Sequence, residues 1–208
     1  MYAAIVLAAG DSTRMGHPKA LLDYGGTTAL ELAVAAASAA ADFVVVVLGR
    51  HASWVEASVD LSGVKVVHNP DPAAGRTGSL QAGVRALPPG VEAFFVHPVD
   101  VPLVGPADFF ALQAARAEHG PEARFFVPTY AGRGGHPLLI DARSRDEVLV
   151  MGPDTPLRAL LEAQPEAVRR IPVTNPGILV NVNTPEEYAR SLDLYAAGRA
   201  VHAARPPQ

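Results

Sequence analysis

The chain has 208 residues, 49% of them hydrophobic and 18% charged, a balance that excludes intrinsic disorder and suffices for a substantial core. Its formal charge of -4 argues against a general nucleic-acid binder, so an anionic ligand must be held by local groups. The absence of cysteine excludes disulfides, thiolate nucleophiles and cysteine-bound metals. The first residues lack the basic stretch of a signal peptide, and no apolar run approaches the ~20 residues of a membrane span. The expectation is a cytoplasmic enzyme or binding protein without membrane contact.

In chain order, Ala3–Ala9, Phe43–Gly49, Val64–His68 and Ala93–Val99 are continuous apolar runs rather than alternating ones. Such runs suit parallel strands covered on both faces. Helix-compatible stretches, Thr28–Ala41, Ala52–Val59 and Thr77–Leu87, lie between them and are long enough for right-handed crossovers. A further helix is predicted from Pro106, proline suiting a first helical turn. "RFFVPTY" and "HPLLI" read as short strands around a glycine-rich loop. Helices follow at Pro156–Gln164 and Pro185–Leu194, with "GILVNV" predicted as a strand between them. The pattern predicts a three-layer, Rossmann-like α/β fold, an open and mostly parallel sheet with helices on both faces. Residues 1–196 form one predicted domain, and 197–208 a frayed tail.

"LAAGDSTRMGHPK" (Leu7–Lys19) ends the first strand in glycine, small polar residues and two cations. In an open α/β sheet such a turn sits at the carboxyl edge, where ligands bind. Exposed amides there make an anion nest. A dinucleotide fingerprint lacks its middle glycine. A Walker loop fails because His17 and Pro18 separate Gly16 from Lys19. By itself the stretch fits either a phosphate loop or an ordinary connection with solvated Arg14 and Lys19.

The full string "LAAG-x-x-x-RMG-x-x-K-x-LL" resembles the signature of the nucleotidyltransferases that share the molybdenum-cofactor guanylyl- and cytidylyltransferase fold, and most of all the cytidylyltransferases. "HNPDPAAGRTGSLQAGV" (His68–Val84), "VDVPLV" (Val99–Val104), "GGHPLLI" (Gly134–Ile140) and "NVNTPEEY" (Asn181–Tyr188) each match a family block in family order, framing nearly all of residues 3–192. The resemblance implies a fold of the nucleotide-diphospho-sugar transferase type. It also implies transfer of a nucleoside monophosphate, CMP from CTP, to the phosphate of a molybdopterin-type cofactor, with release of pyrophosphate.

By that resemblance, Leu7, Ala8, Ala9, Gly10, Arg14, Gly16 and Lys19 would wrap the triphosphate, Arg14 on the β and γ phosphates and Lys19 on the α phosphate. Gly75, Gly78 and Ser79 would approach the base and ribose. Asp100 follows an apolar strand and is read either as a turn residue before Pro102 or, by resemblance, as a ligand of magnesium, with manganese as a substitute. Asn183 takes the second metal position, where an aspartate is expected in the cytidylyltransferases and asparagine is tolerated in the guanylyltransferases. Thr184 and Pro185 also make a sound helix start. Ala8-Ala9 resembles the cytidine-using branch, the guanosine branch tending to Leu-Ala-Gly-Gly. Arg14, Lys19 and Asp100 are the predicted catalytic residues, and Gly135 and His136, with Gly134, the predicted acceptor site.

Asp154 and Arg158 retain a polar pair where relatives carry a glycine-rich string. Asn69 and Asp71 are expected to shape a turn around Pro70 and Pro72. His51, His119 and His202 read as surface residues, His17 as a flank of the loop, and His97 as a satisfied core residue. No basic acceptor cluster is obvious in the sequence. A molybdoenzyme or its chaperone is the expected protein partner. Competing readings are GTP as the nucleotide, a sugar or alditol phosphate as the acceptor, and a non-catalytic protein that delivers cofactor.

Overall fold

The computed structural model describes residues 1–69, 71 and 75–203, with side chains up to residue 198. The expected turn prolines Pro70 and Pro72 lie outside the described residues, as does 204–208 of the expected tail.

The four apolar runs form β1 (Tyr2–Ala8), β2 (Phe43–Leu48), β3 (Lys65–His68) and β4 (Ala93–Pro98), which pair parallel with one another. Helices α1 (Ala29–Ser38), α2 (Ala52–Ser58) and α3 (Arg76–Arg85) make the crossovers, and α4 (Pro106–His119) follows β4. Thr28 starts α1 with a reciprocal capping box. Its hydroxyl accepts from the Glu31 amide at 3.2 Å, and the Glu31 carboxylate accepts from the Thr28 amide at 2.7 Å.

The second half adds β5 (Phe125–Tyr130), β6 (Arg133–Gly134), β7 (Leu138–Asp141), α5 (Arg145–Leu149), α6 (Leu157–Glu162), β8 (Val168–Pro172) and α7 (Pro185–Ala203). Strand order is β3-β2-β1-β4-β7-β5-β6, with β8 pairing parallel to β5. Strand β7 runs antiparallel to both β4 and β5. Alternate residues of the buried strands feed two cores. Ala4, Val6, Val46 and Phe95 pack with α1, α2, α4 and α7, whereas Ile5, Val47 and Phe94 pack with α3, α5 and α6. The outcome is the expected open, mostly parallel sheet between two helical layers. Among the described residues no helix is long and apolar enough to cross a membrane.

One expected strand fails and one unexpected strand forms. "GILVNV" is not a strand: Pro176–Leu179 forms a 3-10 turn instead. There Gly177 sits so close to the chain after β4 that an added Cβ would lie 2.4 Å from the Leu103 carbonyl oxygen. The apolar run is buried because it lies under the β4 tip, not because it joins a ladder. The strand of this region is β8, unanticipated because "VRRIP" carries two arginines. Residues 197–203 continue α7, since alanine and arginine are strong helix formers and one glycine costs only ~1 kcal/mol.

Candidate active site

Strand β1 delivers the loop at its carboxyl end. Ser12 adopts φ 51, unusual for a residue with a side chain, and Gly16 turns the chain at φ 65. The Ser12 hydroxyl accepts from the Lys19 amide at 3.0 Å, closing the loop on itself. A 3-10 turn from Lys19 to Leu21 then fixes where the lysine side chain leaves.

Asp100 lies just past β4, beside β1. The Val99 amide bonds the Leu7 carbonyl at 3.0 Å, and the Val182 amide bonds the Asp100 carbonyl at 2.8 Å. The second bond brings Asn183 to the same sheet edge. The Glu187 carboxylate holds the Asn183 amide at 2.6 Å, while Thr184 caps α7 through the Glu187 amide at 3.3 Å. Cap and site position are therefore compatible.

Lys19 joins these elements. Its Nζ lies 3.3 Å from Asp100 Oδ2 and donates to Asn183 Oδ1 at 2.7 Å, with both charged side chains at most 15% exposed. Arg76, the first residue of α3, places Nη2 3.8 Å from the same Asp100 oxygen while staying largely exposed. Nothing in the sequence singled it out. A lone arginine at a helix start carries no signature until the fold sets it opposite an aspartate.

Two cavities meet here. A cleft of ≈ 270 Å³ is lined by Leu7, Ala8, Ala9, Gly10, Arg14, Lys19, Ser79, Asp100 and Asn183 among others. A larger cavity of ≈ 1070 Å³ is lined by Gly134, Gly135, His136 and residues of α3, α6 and β8. Leu7, Arg76 and Pro98 line both. Arg14 faces the cleft from the exposed part of the loop. Gly16 and Gly78 line neither cavity: Gly16 serves the turn, and Gly78 backs the Asn69 side chain. Ser79 lines the cleft but its hydroxyl accepts from Asn69 Nδ2 at 2.9 Å. Asn69 Oδ1 accepts from the Asp71 amide at 3.1 Å, the expected turn. Gly75, at φ 110, makes room for the Pro153 carbonyl, and Gly135 for the Ile178 carbonyl; an added Cβ would lie 2.7 Å and 2.4 Å from these oxygens. Their small size serves backbone packing.

Burial holds the His136 imidazole below its ordinary pKa, against the opposing pull of Asp100 and with help from Arg76, so the ring is neutral at pH 7. Its Nδ1 is buried and has no hydrogen-bond partner among the described residues. His97 is fully buried in the core, as expected, yet neither of its ring nitrogens has a partner there, so the expectation of a satisfied residue fails. Burial pushes its pKa down to about 3. His51 is not a plain surface residue, since its Nε2 donates to the Asp11 carbonyl at 3.2 Å. Arg158 pairs with Glu162 at 2.6 Å rather than with Asp154.

Basic residues that form no obvious cluster in the sequence share one cavity in the structure. Arg76, Arg133, Arg158 and Arg170 come from α3, β6, α6 and β8 to line the large cavity. They are scattered through the sequence, and only the fold collects them. Among the described residues no group of three or more histidine, aspartate or glutamate side chains could hold a metal. The candidate cation site is one carboxylate and one amide oxygen, both aimed at the Lys19 ammonium. Hard oxygen donors converging on one cationic point fit magnesium, which keeps several waters and takes further oxygens from phosphates.

The family model of the MobA-like NTP transferase domain matches residues 4–168. The chain is 26% identical over 193 residues to the molybdenum cofactor cytidylyltransferase of Escherichia coli (strain K12), covering 92% of this chain and 95% of that protein. It is 32% identical over 189 residues to the "Probable molybdenum cofactor guanylyltransferase" of Mycobacterium avium (strain 104), covering 88% and 90%. The crystal structure of Rv0371C in complex with manganese, from Mycobacterium tuberculosis H37Rv, superposes with a TM-score of 0.76 at 29% identity, covering 92% of this chain and 98% of that one. With a match that runs from the first strand to the start of the last, and relatives aligned over nearly their whole length, the chain belongs to the MobA-like NTP transferase domain family and is a nucleotidyltransferase.

Proposed function

We propose that the chain transfers CMP from CTP to the phosphate of a molybdopterin-type cofactor, using magnesium, with manganese as a substitute. The observation that carries this reading is the junction of two cavities at Leu7, Arg76 and Pro98, with Lys19 and Asp100 on the cleft side of it. Two substrates bound on either side of that junction would bring the acceptor phosphate oxygen to the α phosphorus. That oxygen attacks, the bond between the α phosphorus and the bridging oxygen breaks, and pyrophosphate leaves with the electron pair. Such a transition state needs little covalent help, so positioning and charge neutralisation supply most of the catalysis.

The loop amides and Arg14 hold the β and γ phosphates, Arg14 through its planar fork. Lys19 moves charge onto the α phosphate, releasing oxygens of Asp100 and Asn183. Those two oxygens would then hold the divalent ion, which when bound neutralises charge developing on the transferred group. The arginines of the larger cavity offset the acceptor's negative charge, and Gly135 and His136 form its wall. A neutral His136 serves as a hydrogen-bond partner rather than as a counter-charge.

Ala8-Ala9, where the guanosine branch tends to Leu-Ala-Gly-Gly, supports a pyrimidine base. The guanylyltransferase relative and Asn183 support GTP as the second reading. Pyrophosphate release from CTP, GTP and ATP, with magnesium and a molybdopterin acceptor, decides between them. Release with CTP alone is the expected result; release with GTP alone overturns the nucleotide assignment. Release with a sugar phosphate but not with the pterin overturns the acceptor assignment.

A further inference from the structure

The nucleotide loop is gripped from one side by the turn after β2 and the start of α2, where His51 and Val55 also line the cleft. Gly49 closes the strand so tightly on the loop that an added Cβ would lie 2.4 Å from the Ala9 carbonyl oxygen. Arg50 Nε stands 3.5 Å from Asp11 Oδ1, a buried oxygen with no hydrogen-bond partner among the described residues. His51 holds the Asp11 carbonyl, and the Trp54 ring meets His17 nearly edge-on, with centroids 5.0 Å apart.

Each contact by itself is weak. An ion pair to an arginine as exposed as Arg50 contributes little to stability, and an edge-on ring pair is modest. Helix α2 buries only Val55 within its span, and Trp54 is half exposed. What the four residues share is their target. All reach the loop that carries Arg14, at points on both sides of it. Asp11 is also the only acidic residue between Gly10 and Lys19. In a cleft for polyphosphate its charge opposes the ligand, and Arg50 supplies the counter-charge.

We infer that Gly49, Arg50, His51 and Trp54 form a brace that positions the nucleotide loop for the triphosphate. They are positioning residues that act through Ala9, Asp11 and His17. The inference rests on reading the cleft as the nucleotide site. Its physical basis is preorganisation: phosphate ligands held in place before binding need no ordering at the moment of reaction.

Trp54 is the only tryptophan in the chain, so its emission reports on the His17 contact. The test measures kinetics, calorimetric CTP binding, fluorescence and thermal unfolding on the full chain and on His51→Ala, His51→Gln and His17→Ala variants. CTP with magnesium should alter Trp54 emission in the unsubstituted protein. His51→Ala should raise the nucleotide KM roughly fivefold or more, leaving the acceptor KM and Tm unchanged. His51→Gln, whose amide can donate to the same carbonyl, should restore the nucleotide KM. His17→Ala should abolish the emission change while CTP still binds. An unaltered nucleotide KM in His51→Ala, a parallel shift of both KM values and Tm, or silent Trp54 emission at saturating CTP would each overturn the brace alone. Failure of the unsubstituted chain to bind CTP or GTP would overturn the functional reading and the brace with it.

Discussion

Lys19 makes two bonds of different chemical kinds at once, to the Asp100 carboxylate and to the Asn183 amide. Removing the ammonium leaves Asn183 Oδ1 without its donor and Asp100 with Arg76 alone, and on the proposed mechanism strips one charge from the transferring phosphate. Lys19→Ala and Asp100→Asn should each lower kcat on the order of 10²-fold or more, a scale set by loss of a preorganised charge. Tm should change little. A Lys19→Ala variant with full activity would remove the lysine from the mechanism.

Asn183→Asp tests the second oxygen. A carboxylate there adds the charge that the amide lacks, so half-maximal activity should need less magnesium. A magnesium titration of the variant that overlays the parent's would show that position 183 does not reach the ion. The type and place of Lys19, Asp100 and Asn183 were legible in the sequence through their motifs. Their mutual contact was not, because 81 and 164 residues separate Lys19 from its two partners.

Helix α3 lies against the sheet where Gly83 faces it. A Cβ added there would come 2.5 Å from Ile5 Cγ2 and 3.1 Å from Val47 Cγ2, so β1 and β2 approach the helix through a missing side chain. Gly83→Ala should destabilise by about 1–3 kcal/mol despite alanine's better helix propensity, because overpacking wins over the ~1 kcal/mol that glycine costs in a helix. Urea unfolding measures this, and a variant as stable as the parent would mean the sheet gives way. The close packing matters for the site, since α3 also presents Arg76 and Ser79.

The same scale shows why some elements could be read in advance and others not. Strands β1, β2 and β4 are buried on both faces, so their apolar runs announce them. Strand β8 pairs through β5 alone and leaves Arg169 and Arg170 outside the cores, so no apolar run marks it. "GILVNV" has the right hydrophobicity for a strand but no ladder to join. Hydrophobicity reports burial; pairing depends on what lies alongside.

At the scale of the whole molecule, acid should loosen the fold through its buried histidines. His97 has its pKa pushed to about 3, well below the ordinary value of 6.5, by burial first and by nearby His136 second. Above pH 6.5 the ring is neutral in folded and unfolded chains alike, so pH leaves this contribution unchanged. As pH falls through 6.5 the unfolded chain takes up a proton that the folded chain refuses until about pH 3. Stability is therefore lost over that window, by up to about 1.4 kcal/mol per pH unit for one proton. His97→Leu should flatten the slope of urea stability against pH between 6.5 and 4. An unchanged slope would assign the acid sensitivity to other groups.

The order of apolar runs and crossovers determined the layered α/β plan, because burial and chain length act locally enough to show in a single sequence. The motifs likewise marked the loop and the aspartate as candidates, because their resemblance to a family rests on residue types at short spacing. Only the tertiary structure set Lys19 between Asp100 and Asn183, gathered four distant arginines around one cavity and turned His51 and Trp54 onto the loop. Those are meetings through space between segments far apart along the chain, and no local pattern encodes them.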